Sequence, residues 1–422
     1  MKRFFIIASA LLMMAACAPK SEKTLEIHIP NDGNLCRYPD IESVRTVLDS
    51  VVSMGFNAVV VDIKPPVGYT YYESSLIPNV RNAKTYPNHE VSSFDMAGAF
   101  IEEGHKRYLK VSLSSATLSM GAWPLEVDGP AYTVPQLEGL TCIEYLPDGL
   151  HDIKDSREHG IFAFLNPVLP QVRRLMVDHV KEVCSMYKPD GFLLDYCRYN
   201  NYHSDFSEAS RKAFEEYTGH EVEDFPYSIY TYPGENAYQI VPGKYYREWM
   251  EWRAMVIKSL VGELAAAVKE VSPKTEVSLW TASWWPWIQG NGQNWASTTT
   301  SWIKEHEAEL DFATPDYTKT GMADLLDVYE MGAYLPKAYG KDDPESMEYA
   351  LERGKQLVNG ACTFYGSFAG EAENLRDAFE LMYRCTDGIA FFCIDVCYKD
   401  PSKYAEIKDA IKYAKEKYNE SK

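Results

Sequence analysis

Pro189-Asp190-Gly191-Phe192-Leu193-Leu194-Asp195-Tyr196-Cys197-Arg198-Tyr199-Asn200 is a short apolar run that stops in an acid, an aromatic residue and a base. Just before it, Val172, Leu175, Met176, Val180, Val183 and Tyr187 keep i, i+3, i+4 spacing, which predicts a helix over 171–187 with one buried face. A helix followed by a strand with polar residues at its far end is one unit of an α/β fold. Asp195 and Arg198 then have two readings. They form a surface ion pair, or the strand runs out into an active site.

The same unit recurs outward in both directions. Strands are predicted at 25–29, 58–63, 109–115, 191–195, 276–281, 325–334, 361–368 and 388–395, and helices at 41–54, 95–106, 171–187, 245–271, 298–308, 343–358, 371–384 and 401–417. Ala58-Val59-Val60-Val61 and Ile389-Ala390-Phe391-Phe392 are continuous apolar runs, as in parallel strands covered on both faces. Eight strand–helix units predict an α/β fold of the (β/α)8 TIM-barrel type, a single domain over 25–422. A doubly wound open sheet is the rival, but no glycine-rich phosphate loop follows the first strand. The long connections after strands three and four would both lie at the C-terminal face, where barrels carry their sites.

The net charge of −19 argues against nucleic acid as a partner. Lys2 and Arg3 ahead of an apolar run too short to span a membrane read as an export signal over 1–16. Met14-Ala15-Ala16-Cys17 resembles a bacterial lipobox, in which Cys17 would be acylated and 17–24 would be a tether. A plain secretory signal is the alternative. The expected location is the cell envelope, with the lipid at Cys17 as the only membrane contact. Eight further cysteines include no C-x-x-C pair, and the histidines show no H-x-x-x-H, so no cofactor or metal is expected.

Polar residues at strand ends are the candidates for chemistry. They are Asp62 and Lys64 after strand two, Asp195 and Arg198 with Tyr196 after four, Glu330 and Tyr334 on six, and Asp395 on eight. Strand five ends in Trp280, followed by Trp284, Trp285 and Trp287. Acids beside aromatic rings suit a carbohydrate substrate, since glycoside hydrolysis takes a pair of carboxyls and rings pack on sugar faces. Against this, Asp62 and Lys64 could be a structural ion pair at the rim, and a one-residue register change would turn Glu330 into the helix layer. Asp327, early on its strand, fits a stabilising role at the barrel bottom.

Several blocks resemble glycoside-hydrolase-like barrel families related to family 10, whose bacterial members include exported lipoproteins. Leu165-Asn166-Pro167, the helix, and Asp190-Gly191-Phe192-Leu193-Leu194-Asp195-Tyr196-Cys197-Arg198-Tyr199 are similar to their L-N-P, helix, D-G-[IF]-x-[LF]-D-Y-x-R-[YF]-P block. Asn57 to Lys64, Tyr71-Tyr72-Glu73-Ser74, the segment from Asp205 to Gly219, Trp252-Arg253, Ser272-Pro273 and Asp327 to Tyr334 fall in the matching order. The resemblance implies a barrel that hydrolyses glycosidic bonds in poly- or oligosaccharides, with Asp195 as the strand-four acid and Arg198 beside it. Asn200, Glu330 and Gly332 depart from the family pattern.

The resulting expectation is a glycosidase with Asp195 as nucleophile or base, held ionised by Arg198, and Glu330 as proton donor. Asp395 is the reserve for the second role and Asp62 the next. Lys64, Arg198, Tyr196, Trp280, Trp284, Trp287 and Tyr334 would contact substrate. The alternative is a surface glycan-binding barrel without turnover. Oligomeric state is not encoded in any of these patterns.

Overall fold

A computed structural model describes residues 22–31, 37–83, 94–122, 129–155, 162–283 and 289–420. Eight parallel strands close into a barrel: β1 Thr24–Ile29, β2 Ala58–Lys64, β3 Lys110–Ala116, β4 Gly191–Asp195, β5 Glu276–Ala282, β6 Val328–Gly332, β7 Thr363–Ala369 and β8 Gly388–Phe392. Each strand pairs with its chain neighbours, and β8 returns to β1. The outer layer is α1 Ile41–Met54, α2 Met96–Lys106, α3 Pro170–Tyr187, α4 Tyr246–Val271, α5 Met347–Val358, α6 Leu375–Cys385 and α7 Lys403–Glu420. The (β/α)8 expectation is met, and every predicted strand overlaps an observed one.

Strand alternation divides the interior into two layers. Leu25, Ile27 and Ile29 on β1, and Phe192 and Leu194 on β4, pack outward into the apolar layer beneath the helices. Glu26, His28 and Asp195 alternate with them and face the lumen.

A repeated bracket closes the bottom. The residue before each even strand takes the N–H of the second residue of the preceding odd strand: Asn57 from Leu25 (2.8 Å), Asp190 from Val111 (2.8 Å), Asp327 from Val277 (2.8 Å) and Asp387 from Phe364 (3.0 Å). Each also donates its own backbone N–H to the carbonyl of that same residue, at 3.0, 2.9, 3.0 and 2.8 Å. Asp190-Gly191 and Asp387-Gly388 share a further reason for their glycine. A Cβ at Gly191 would lie 2.4 Å from Ser112 Oγ, and one at Gly388 would lie 2.4 Å from the Tyr365 ring.

The two long excursions pack on each other. After β3 come the strand pair Ser119–Ala122 with Phe162–Phe164 and the hairpin Ile143–Leu146 with Gly149–Asp152; after β4 comes the helix Glu208–Thr218. Asn166 Nδ2 donates to Asp205 Oδ2 (2.6 Å), which also takes the Ser210 hydroxyl (2.6 Å). Arg253, fully buried on α4, donates to the carbonyls of Asn201 (2.6 Å), Ser204 (2.5 Å) and Gly290 (2.8 Å). One arginine thus ties the chain after β4 to the chain after β5.

Three expectations change. The helix predicted over 298–308 is one turn, Trp302–Glu305, because contacts from elsewhere in the chain hold the residues before it. Thr298 N–H goes to Asp324 (2.7 Å) and Thr300 Oγ1 to the Gln356 carbonyl (2.8 Å). Strand six shortens to β6, and β8 stops at Phe392, so that Asp395 opens a short helix, Asp395–Lys399. Cys17 and Cys36 lie outside the described residues; the seven described cysteines are free. No helix among the described residues is long and apolar enough to cross a membrane.

Asp327→Ala strands the Val277 N–H and is expected to cost about 1–2 kcal/mol, whereas Asp327→Asn keeps the acceptor and most of the stability. Urea unfolding midpoints of the two variants check this.

Candidate active site

Asp195 stands half-buried where β4 leaves the sheet. The chain turns sharply there: Tyr196 takes a left-handed φ of +46°, and its N–H donates to Asp195 Oδ1 at 2.8 Å. A non-glycine residue in that region is strained, and such strain gathers at functional sites. Burial raises the Asp195 carboxyl, while the Tyr196 N–H and the charges of Arg198 and His28 lower it. Burial wins, and the group is pushed up to about 6.

This corrects the expectation that Arg198 holds Asp195 ionised. No ion pair joins them among the described residues. Arg198 instead donates to the carbonyls of Tyr199 and Asn200, both at 3.0 Å, and lies over the rings of Tyr196 (4.9 Å) and Phe164 (5.3 Å). The Tyr196 ring packs edge-on against Phe162 at 5.2 Å. Both side chains build the wall of the β4 exit.

Lys64 is fully buried and donates to the carbonyls of Ser119 (2.9 Å) and Ala116, not to Asp62. The rim ion-pair reading therefore falls. Burial pulls the Lys64 ammonium down to about 7, against the opposing charge of Asp195. Asp62, half-buried at the end of β2, acts with Asp195 and Glu330 on His28. Burial opposes protonation of His28, but the Glu330 hydrogen bond and those three carboxyls outweigh it and raise its pKa.

Glu330 faces the lumen as expected, yet it is shut in: its carboxyl meets His28 Nε2 at 3.2 Å and the residue is 1% exposed. It is closed off from the mouth there. Asp395 is taken up by Arg37, whose guanidinium also lies over Tyr398 at 4.8 Å. The break of β8 at Phe392 moves it off the strand.

An aromatic wall stands beside these groups. Trp280 donates from Nε1 to Ser367 Oγ (3.3 Å) and lies 5.4 Å from the Tyr334 ring, which stacks on Phe392 at 5.7 Å and 27°. Gly332 makes this possible: a Cβ there would lie 2.3 Å from the Trp280 ring, so the departure from the family pattern at this position matches the tryptophan. Trp284, Trp285 and Trp287 lie outside the described residues. From Tyr334 a groove of about 990 Å³ runs on past Trp302, Tyr349 and Arg353. Sequence reasoning missed Glu26, His28 and Phe392. The strict alternation of Thr24-Leu25-Glu26-Ile27-His28-Ile29 was the signal available for the first two.

Residues 27–319 match the glycosyl hydrolase-like 10 family. The chain belongs to that family. An S-layer-related protein of Niallia circulans is 27% identical over 389 residues, which are 88% of this chain; the chain spans only 23% of that relative's length. Among solved structures, the PgaB (BpsB) glycoside hydrolase domain from Bordetella bronchiseptica is similar with a TM-score of 0.60 at 12% identity, covering 92% of this chain and 99% of that one. Alpha-L-fucosidase isoenzyme 2 from Paenibacillus thiaminolyticus follows with a TM-score of 0.56 at 15% identity, over 95% of this chain and 50% of that one. At these identities the structural likeness is one of fold. Family membership makes the barrel glycoside-hydrolase-like.

A raised carboxyl costs stability once ionised. Between the usual ~3.9 of an unfolded aspartate and about 6, the folded chain keeps a proton that the unfolded chain has lost, so this group's contribution falls as pH rises. Asp195→Asn is therefore expected to stabilise the protein by about 2–3 kcal/mol at pH 7–8 and by little at pH 4, as read by thermal melts at each pH.

Proposed function

We propose that this barrel hydrolyses glycosidic bonds of an oligo- or polysaccharide, with Asp195 as acid–base group and Asp62 as the second carboxyl. The observation that carries this is Asp195: strained into place, reachable from the mouth and pushed up to about 6 beside the Trp280–Tyr334 wall. A carboxyl near that value holds a proton for a leaving oxygen at mildly acidic pH and takes one back from water afterwards. Asp62 would meet the sugar's other face, as nucleophile or as base toward water. The proton-donor role expected of Glu330 passes to Asp195, and Glu330 instead orients His28. Trp280 and Tyr334 offer ring faces to a sugar, and the groove beyond Tyr334 gives a longer chain room. Trp284 and Trp287 keep their proposed place as substrate contacts.

The lipobox at Cys17 supports attachment to the cell envelope through a lipid, and the S-layer-related relative suits such a location. Loss of labelled fatty acid in Cys17→Ser tests that part alone.

For the chemistry, Asp195→Asn is expected to lower turnover of a susceptible glycan by about 10²–10⁴-fold while leaving the fold intact. Wild-type turnover should fall as pH rises through about 6, where the acid loses its proton. Lys64→Met removes a nearby cation and should move that limb to higher pH. If wild type and Asp195→Asn bind glycan alike and neither turns it over, the barrel is a binding protein and the assignment fails.

A further inference from the structure

Beneath the mouth, three lumen side chains from β1 and β6 converge. Glu26, His28 and Glu330 are 3%, 5% and 1% exposed, and each turns one ligating atom toward the others, all within 4.8 Å of one another. β1 and β6 are not neighbours in the sheet, so the three groups meet across the lumen.

Two carboxylates this close and this dry repel strongly unless a cation lies on the spot. The candidates are a protonated His28 paired with Glu330, a proton shared between Glu26 and Glu330, or a metal ion. A charged His28 satisfies Glu330 and leaves Glu26 unanswered. Lys110, whose charge acts on Glu26, is ion-paired with Glu276, and Lys64 is directed at its two carbonyls. A shared proton satisfies one oxygen of Glu26 and leaves Oε1, which is buried without a hydrogen-bond partner. An ion bound through Oε1 would give that atom its partner. The 3.2 Å between His28 Nε2 and Glu330 Oε2 also matches the edge of a tetrahedron with ~2.0–2.1 Å metal–ligand bonds.

We propose that Glu26, His28 and Glu330 form a divalent-cation site that joins β1 to β6 across the barrel. One imidazole and two carboxylates, with no thiolate, select a zinc- or manganese-type ion over a soft one. Three protein ligands leave a coordination position for water. No motif announces this set, because His28 and Glu330 stand 302 residues apart in the chain. The inference does not depend on the hydrolase reading.

The test uses the full chain, stripped with chelator, titrated with zinc chloride and separately with manganese chloride, and passed through gel filtration before metal analysis. Retention of roughly one equivalent per chain is expected, with a rise of a few degrees in melting temperature. Glu330→Gln and His28→Ala should abolish retention, and Glu26→Gln should weaken it. Should either ligand variant fail to fold, the metal content of the wild type still decides. A wild type that retains no metal, and whose melting temperature neither ion moves, would overturn the proposal. So would Glu330→Gln holding as much metal as wild type, since the ion would then sit on surface acids.

Discussion

The reciprocal bracket at the barrel bottom is the constraint on which the rest depends. Asn57, Asp190, Asp327 and Asp387 each bind both backbone groups of one residue on the preceding strand. A one-residue slip would break the bracket and turn every lumen side chain outward. With the register held, the alternation that buries Ile27 and Leu194 under the helices brings His28, Asp195 and Glu330 into one lumen. The acids of the mouth thus depend on acids and one amide at the opposite end.

At the mouth, burial outweighs charge pairing. Arg198 and His28 both favour an ionised Asp195, yet desolvation overrides them. Lys64 shows the same balance with the opposite sign, drawn toward neutrality despite the Asp195 charge. A surface ion pair would have left both groups near their ordinary values and contributed little. The arrangement is costly to the fold, and under the proposed hydrolysis it suits proton transfer, the trade expected where stability yields to function.

Most of the architecture was legible in the sequence, because β-rich runs alternate with amphipathic helices and continuous apolar strands point to a parallel sheet. The recognisable blocks were legible as patterns but not as roles. Asp190-Gly191 is a bracket with a steric requirement, Asn166 secures Asp205, and Arg253 gathers three carbonyls. Asp195 is the acid of the strand-four block that faces the lumen at the mouth. What escaped was set by three-dimensional context. The helix over 298–308 gave way to hydroxyl and carboxylate contacts, Asp395 was drawn to Arg37, and Glu330 was closed in by His28. No local pattern carries those partners.

The central claim is that the Asp195 carboxyl keeps its proton to about 6 in a reachable position. Carbon NMR of the chain labelled at the aspartate carboxyl carbons, titrated with pH, tests it directly. The resonance missing from Asp195→Asn should show a midpoint near 6 in the wild type. A midpoint at or below the ordinary ~3.9 would mean that Arg198 governs the group after all, and would contradict the account.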